Sequence, residues 1–440
     1  MIFYFYNYLK TYKNPRSILK NYIQENKILI LVQILMHIAV WTYSSIALLI
    51  LSKYYLYTDA ELSIIQNSFI IGIILSSAYQ NINLNKRIKY NKTLLYSMLF
   101  TPFVLILKFI WTEYDFNHYA FAFLHLLEGV GYGLMSVIVG HFIKNILLNN
   151  KKNGNIYSYI VSSTYLIKTL VPIIISYYFI VKGHENYIFL YGTFLFLLNA
   201  TLILVTHKHI FKKYQRLITR QKNTGNIKKN ITFKESLLHI VSFLKDKNDR
   251  KYKIHYIYSL FANNMLRPFY DLYAGLLLIN YYNFTLTETI TVFSFMVLGQ
   301  ASQFMIGSLS DKIQLYKVGL IGMIIKILTF TIFFYLPDVF TFGVVPYILF
   351  YVLGFSRTFY AAYDYKLNNN LIKKGYTVNN ISFVQMFAGE IGHYFSYALF
   401  ATFLMFGFNI HDLTYIAYTI AIFILITTVT FDRKLFNIIN

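Results

Sequence analysis

The sequence predicts an all-α polytopic membrane protein: twelve transmembrane helices in two six-helix halves, with both termini cytoplasmic. Three observations predict it. The 440 residues are 57% hydrophobic and only 13% charged, with mean hydropathy +0.48, whereas about a quarter of the residues in a soluble domain are charged. Apolar stretches of roughly 20 residues, enough to cross ~30 Å of hydrocarbon, recur along the chain. Basic residues collect in every second connection between those stretches.

In order, the stretches cover 28–52, 61–80, 93–112, 119–147, 156–181 and 187–206, then 254–279, 287–308, 317–336, 340–365, 378–407 and 412–430. The chain therefore divides into a cytoplasmic or interfacial segment over 1–27, a six-helix half over 28–206, a basic linker over 207–253, a second half over 254–430 and a tail over 431–440. Ile2 to Tyr6 precede the first basic residues, the reverse of a secretory signal, so this end reads as an uncleaved interfacial segment. In the linker, Thr232 and Glu235 have capping-box spacing, and Phe233, Leu237, Ile240, Val241 and Leu244 share one helical face. A short amphipathic helix under the bundle is expected there, with a partner-binding helix as its alternative. The triplet Asn283-Phe284-Thr285 is a glycosylation sequon, to which an Asn-rich chain gives no weight.

Charge sets the orientation. The net charge is +22, and 33 of the 40 Lys/Arg lie in the two terminal segments and the connections on their side, 14 of them in the linker. On the other side stand only Lys53 and Lys182, with eight acids: Asp59, Glu61, Glu113, Asp115, Glu185, Glu288, Asp338 and Asp412. By the positive-inside rule the termini and linker face the cytoplasm. Basic charge that follows the topology gives no reason to expect nucleic acid as a partner. The 42 Tyr and 41 Phe accompany abundant Ile, Asn and Lys and reflect composition, not a stacking platform.

Nine charged residues remain inside the spans: Lys108, Glu128, Lys168, Arg267, Asp271, Lys326, Arg357, Asp364 and Glu390. At roughly 3 kcal/mol each when held at a helix centre, nine facing lipid would cost on the order of 25 kcal/mol, so most must face a cavity or one another. Lys108 near the outer end of its span and Asp364 near the inner end are expected to snorkel; Lys326 is left open. Polar groups form stripes: Asn263, Asn264, Arg267 and Asp271 in span 7, Glu390, His393 and Tyr397 in span 11, and His125, Glu128 and Tyr132 in span 4. Gly129, Gly131 and Gly133 clear space beside the last of these for another helix or a ligand. Helix packing with a buried ion pair accounts for the glycines but leaves the ionisable groups unexplained.

The chain has no cysteine, which removes disulfides, thiolate metal sites and Cys nucleophiles. No Walker-type loop and no metal-ligand His pair is present, and the outer connections are short. No enzyme activity, metal or cofactor is therefore expected.

Gly307-Ser-Leu-Ser-Asp311-Lys312, with Lys317 following, resembles the Gly-x-x-x-Asp loop signature of the major facilitator superfamily. His125-Leu-Leu-Glu128-Gly129-Val-Gly131 resembles that family's Arg-x-x-Gln-Gly-x-Gly pattern, with His for Arg and Glu for Gln. In the first half the loop signature has decayed to Ser77 and Asn81, although Lys86, Arg87 and Lys89 keep its basic character. Span 5 has Pro172 without the Gly-Pro-Gly-Gly of many of the family's antiporters. The resemblance implies that spans 1, 4, 7 and 10, helped by 2, 5, 8 and 11, line a central cavity about which the halves rock. Lys168 and Glu390 then fall at similar depth in corresponding spans of the two halves, as a partnered pair.

The expected function is a secondary transporter, a proton-coupled symporter in the plasma membrane or bacterial inner membrane, that moves a small anionic or zwitterionic solute by alternating access. Its partners are that solute, protons and the bilayer, and the chain is expected to be monomeric. The alternative is a lipid-linked oligosaccharide flippase or a drug or metabolite exporter. Substrate contacts are assigned to Lys168, Arg267, Asn263, Asn264, Arg357, His37 and Gln300, with Gln33 and Gln303 as further hydrogen-bonding groups. Proton coupling is assigned to Glu390 with His393, Glu128 with His125, and Asp271; gating is assigned to Gly307, Asp311 and Lys312. Arg357 has two readings, substrate ligand and partner of Asp311 in a gate latch.

Overall fold

Residues 15–86, 90–114, 117–148, 153–222, 243, 250–303, 305–306, 313–335, 343–374, 376 and 378–439 are described by the structure, a computed structural model. The first half comprises α1 (Pro15–Tyr54), α2 (Asp59–Lys86), α3 (Tyr90–Glu113), α4 (His118–Leu148), α5 (Asn153–Ile175) and α6 (Tyr187–Lys222). The second comprises α7, broken into α7a (Arg250–Met265) and α7b (Ala274–Asn280), then α8 (Leu286–Ala301), α9 (Leu315–Tyr335), α10 (Val345–Lys373), α11 (Val378–Met405) and α12 (Ile410–Ile439). Among the described residues there is no strand. The linker helix expected around Thr232 and Glu235, the segment 1–14 and the loop Gly307, Asp311 and Lys312 lie outside the described residues.

The helices extend past the apolar stretches at the terminal end of the bundle. α1 begins at Pro15 and α6 runs to Lys222, so basic residues assigned to the N-terminal segment and the linker prolong membrane helices. Among the described residues, four stretches are by themselves long and apolar enough to cross a bilayer: Asp59–Tyr79, Thr93–Glu113, Tyr187–Thr206 and Ile410–Thr427. Three of them belong to α3, α6 and α12, whose outward side chains, including Phe103, Phe194, Val205 and Phe423, are exposed as lipid-facing groups should be.

At the opposite end the acids have a local structural task. Thr58 and Glu61 cap α2 reciprocally, with Thr58 N donating to Glu61 Oε2 at 2.8 Å and Glu61 N to Thr58 Oγ1 at 3.3 Å. Thr285 and Glu288 repeat this capping box on α8, and Asn409 and Asp412 make the corresponding exchange on α12 at 3.0 and 2.9 Å. The even-numbered helices begin here, where free N–H groups and the positive end of the helix dipole favour carboxylates.

Each half contains the same close crossing. A Cβ on Gly129 of α4 would lie 2.1 Å from Phe69 O of α2, and one on Gly72 of α2 would lie 2.3 Å from Leu126 O. In the second half a Cβ on Gly299 of α8 would lie 2.1 Å from Tyr351 O, and one on Gly354 of α10 would lie 1.9 Å from Met296 O. Backbones in such contact admit no methyl group. Gly129→Ala and Gly354→Ala are each expected to cost about 1–3 kcal/mol by overpacking, read as a lower melting temperature of the purified protein; unchanged melting would mean that these crossings are looser than described.

Contacts of α2 with α11, α5 with α8 and α1 with α7 join the halves. At the end bearing the α1–α2 and α7–α8 connections this seam is hydrogen-bonded, Ser63 Oγ lying 2.7 Å from Tyr273 OH and Asn280 Nδ2 donating to Asp59 Oδ1 at 3.1 Å.

Candidate functional site

The site starts from an irregularity in α7. Pro268 has no N–H to donate, and the chain after it forms a π turn over Phe269–Tyr273, a distortion that often marks functional positions. Arg267 stands just before this turn and Asp271 lies within it. Arg267 Nε donates to Asp271 Oδ2 at 2.9 Å and Arg267 Nη1 to Glu390 Oε1 of α11 at 3.0 Å. His393, one turn beyond Glu390, brings Nδ1 to 3.1 Å from Glu390 Oε2 and Nε2 to 3.8 Å from Asp271 Oδ2. Arg357 Nη1 of α10 approaches Asp271 Oδ1 at 3.8 Å. Three helices thus pool two guanidinium groups, two carboxylates and an imidazole in one connected network.

The network borders a cavity of about 170 Å³. It is lined by Asn263, Asn264, Arg267 and Tyr270 of α7, Gln300 and Gln303 around the end of α8, Lys326 of α9, Arg357, Thr358, Tyr360, Ala361 and Asp364 of α10, and Tyr165 of α5. These positions stand nearer the terminal end of the bundle than the Ser63–Tyr273 hydrogen bond, so the cavity lies on one side of that contact.

The span-7 and span-11 stripes therefore meet, as do Asn263, Gln300 and Arg357 at the cavity. Asn264 lines it too, although its Nδ2 is bound to Leu260 O at 2.8 Å. Lys168 of α5 stacks at 5.5 Å from the Tyr165 ring and lies in electrostatic reach of Asp271, Arg357 and Arg267. His37 of α1 is half-buried near Lys168. The pairing expected across the halves differs: Glu390 engages Arg267 and His393 of its own half.

Glu128 and His125 are elsewhere. Both are fully buried against Lys108 of α3, which contacts Glu128 Oε2 and His125 Nδ1. His125 Nδ1 lies 3.1 Å from Glu128 Oε2, and Nε2 lies 3.2 Å from Gln66 Oε1 of α2. Lys108 does not snorkel; an ion-pair partner on α4 holds it inside, under the Phe121 ring at 4.9 Å. Asp364 does not snorkel either, since it faces the cavity. Lys326 and Tyr270, which sequence periodicity did not single out, complete the wall. The one signal for Lys326 was a lone charge in a strongly apolar span.

A polar, charge-lined cavity walled by α7 to α10, with Tyr165 of α5 from the other half, inside a bundle of two similar sets of helices is the arrangement of a membrane transporter. The sequence model of the Major Facilitator Superfamily matches residues 29–395, and the chain belongs to that family. Among solved structures it is similar to the nucleoside transporter NupG (12% identity, TM-score 0.64, 93% of this chain and 99% of that one). It is similar also to a POT family transporter in complex with a thioalcohol conjugated peptide (14%, 0.67, 93% and 96%) and to the proton:xylose symporter XylE bound to 6-bromo-6-deoxy-D-glucose (15%, 0.62, 94% and 96%). At these identities the likeness is one of fold. No curated protein matches the sequence.

Proposed function

We propose that this carrier moves a small polar solute, anionic or zwitterionic, by alternating access in symport with protons, in a plasma membrane or bacterial inner membrane with both termini cytoplasmic. The observation that carries the reading is the network in which Arg267 is shared by Asp271 and Glu390 at the edge of the cavity. A carboxylate whose cationic partner has a second carboxylate to turn to can take up a proton without stranding that cation, and the exchange of partners can accompany rocking of the halves. His393, within reach of both acids, gives the proton a route, since its two ring nitrogens can accept a proton on one side and release it on the other. The POT family transporter in complex with a thioalcohol conjugated peptide and the proton:xylose symporter share this fold and support the class of activity.

The test is counterflow of pooled metabolites in proteoliposomes, repeated with and without an imposed pH gradient. Exchange together with accumulation driven by the gradient is the expected result. Exchange that ignores the gradient would make the protein a facilitator and remove proton coupling.

A further inference from the structure

Part of the cavity is not absorbed by the Arg267 network. Lys326 is buried, its Nζ 4.5 Å from the Tyr360 ring centroid and 5.4 Å from that of Tyr270. Arg357 Cζ is 5.0 Å from the same Tyr270 ring. The aromatic faces hold two cations at one place, and neither makes a close ion pair there: the carboxylate nearest Arg357, at 3.8 Å, is Asp271, which already accepts from Arg267 at 2.9 Å. One carboxylate stands apart in the same cavity. Asp364 Oδ1 is buried without a hydrogen bond of full geometry, as are Asn263 Oδ1 and Nδ2 and Tyr270 OH; the side chain placed to donate to Asp364 is the neutral amide of Asn263. Asp364 is in electrostatic reach of Lys326, yet no ion pair within 4.0 Å joins them among the described residues.

Buried polar groups are normally satisfied, so unsatisfied groups of both signs around one cavity specify a ligand that carries the complements of both. A plain anion would leave Asp364 without a charged donor, a plain amine would leave Lys326 and Arg357 facing each other, and a neutral sugar would answer neither. Arg357 and Asp364 are seven residues apart on α10, two turns along one face and about 10 Å in rise, which suits charges set at the two ends of a small molecule. We infer that the transported solute is a small zwitterion, its carboxylate held by Lys326 and Arg357 beside the Tyr270 ring and its ammonium group held by Asp364. This deepens the carrier reading and rests on it.

A matched set of probes tests it: 5-aminovalerate, valerate, pentylamine, norvaline and a neutral hexose, each measured for thermal stabilisation of the purified full-length protein and for competition in counterflow. 5-Aminovalerate, whose charges stand at its two ends, is expected to bind on the order of 30-fold more tightly than valerate or pentylamine, the factor that follows from leaving one buried charge unpaired, and more tightly than norvaline, whose charges share one end. Asp364→Asn should erase the advantage of 5-aminovalerate over valerate, while Asp364→Glu, which keeps the charge, should retain it. Lys326→Gln should weaken 5-aminovalerate, valerate and norvaline alike. Valerate, pentylamine or hexose binding as well as 5-aminovalerate, no stabilisation by any probe, or an unchanged ratio in Asp364→Asn would each overturn the inference. Counterflow of other pooled metabolites in the same vesicles separates the two readings: exchange of sugars or plain anions leaves the carrier standing without this specificity, and exchange of nothing removes both.

Discussion

Glu390→Gln is expected to leave exchange of solute for solute intact and to abolish accumulation driven by a pH gradient. Glutamine keeps the shape of the carboxylate and imitates its protonated form permanently. Arg267 can then turn wholly to Asp271, already 2.9 Å from its Nε, while His393 loses the anion 3.1 Å from its Nδ1. The halves can still rock with solute bound, but no proton is taken up on one side and released on the other. Arg267→Gln should behave differently. It leaves the half-buried Asp271 and the buried Glu390 without their shared cation, so exchange should fail and the melting temperature should fall. Exchanging Arg267 and Asp271 for one another separates a simple pair from a network: a pair would be restored, whereas the bond to Glu390, made by Nη1 at 3.0 Å, would not. Uphill accumulation by Glu390→Gln at wild-type expression would remove this residue as the coupling acid.

The stripes on α7 and α11 were legible because one-face periodicity survives in any helix, and the two stripes do face each other across Arg267 and Glu390. Their partners were not legible. Lys168 and Glu390 occupy corresponding depths, but depth along a helix does not fix rotation about it, and the π turn after Pro268 changes the rotation of everything beyond it in α7. Lys108 and Asp364 misled for a related reason. A charge near a helix end can reach the interface or turn inward, and the choice depends on a partner from another helix, here Glu128 for Lys108. The acids of the outer connections were read through topology alone, while Glu61, Glu288 and Asp412 also cap helices. The capping spacing Thr58 to Glu61 was present in the sequence as a local signal.

Glu128→Gln is expected to destabilise the protein strongly while sparing coupling in the molecules that fold. Lys108 is fully buried, and its ammonium meets Glu128 Oε2 and His125 Nδ1 between α3 and α4. Removing the carboxylate strands that ammonium in a dry interior, which costs about 3–5 kcal/mol. The converse variant, Lys108→Met, leaves Glu128 beside His125 at 3.1 Å, and a protonated imidazole can replace part of the lost charge, so its loss should be smaller and should shrink further at acidic pH. Combining Lys108→Met with Glu128→Gln leaves no net charge to bury and should recover most of the stability of either single variant, the signature of a pair whose members depend on each other. Melting temperatures of the four proteins in one detergent decide the matter, with gradient-driven uptake measured on the same preparations. A Glu128→Gln protein that melts like wild type but exchanges without accumulating would reverse the assignment, making Glu128 with His125 a second proton site and the Lys108 contact its resting state rather than a structural clasp.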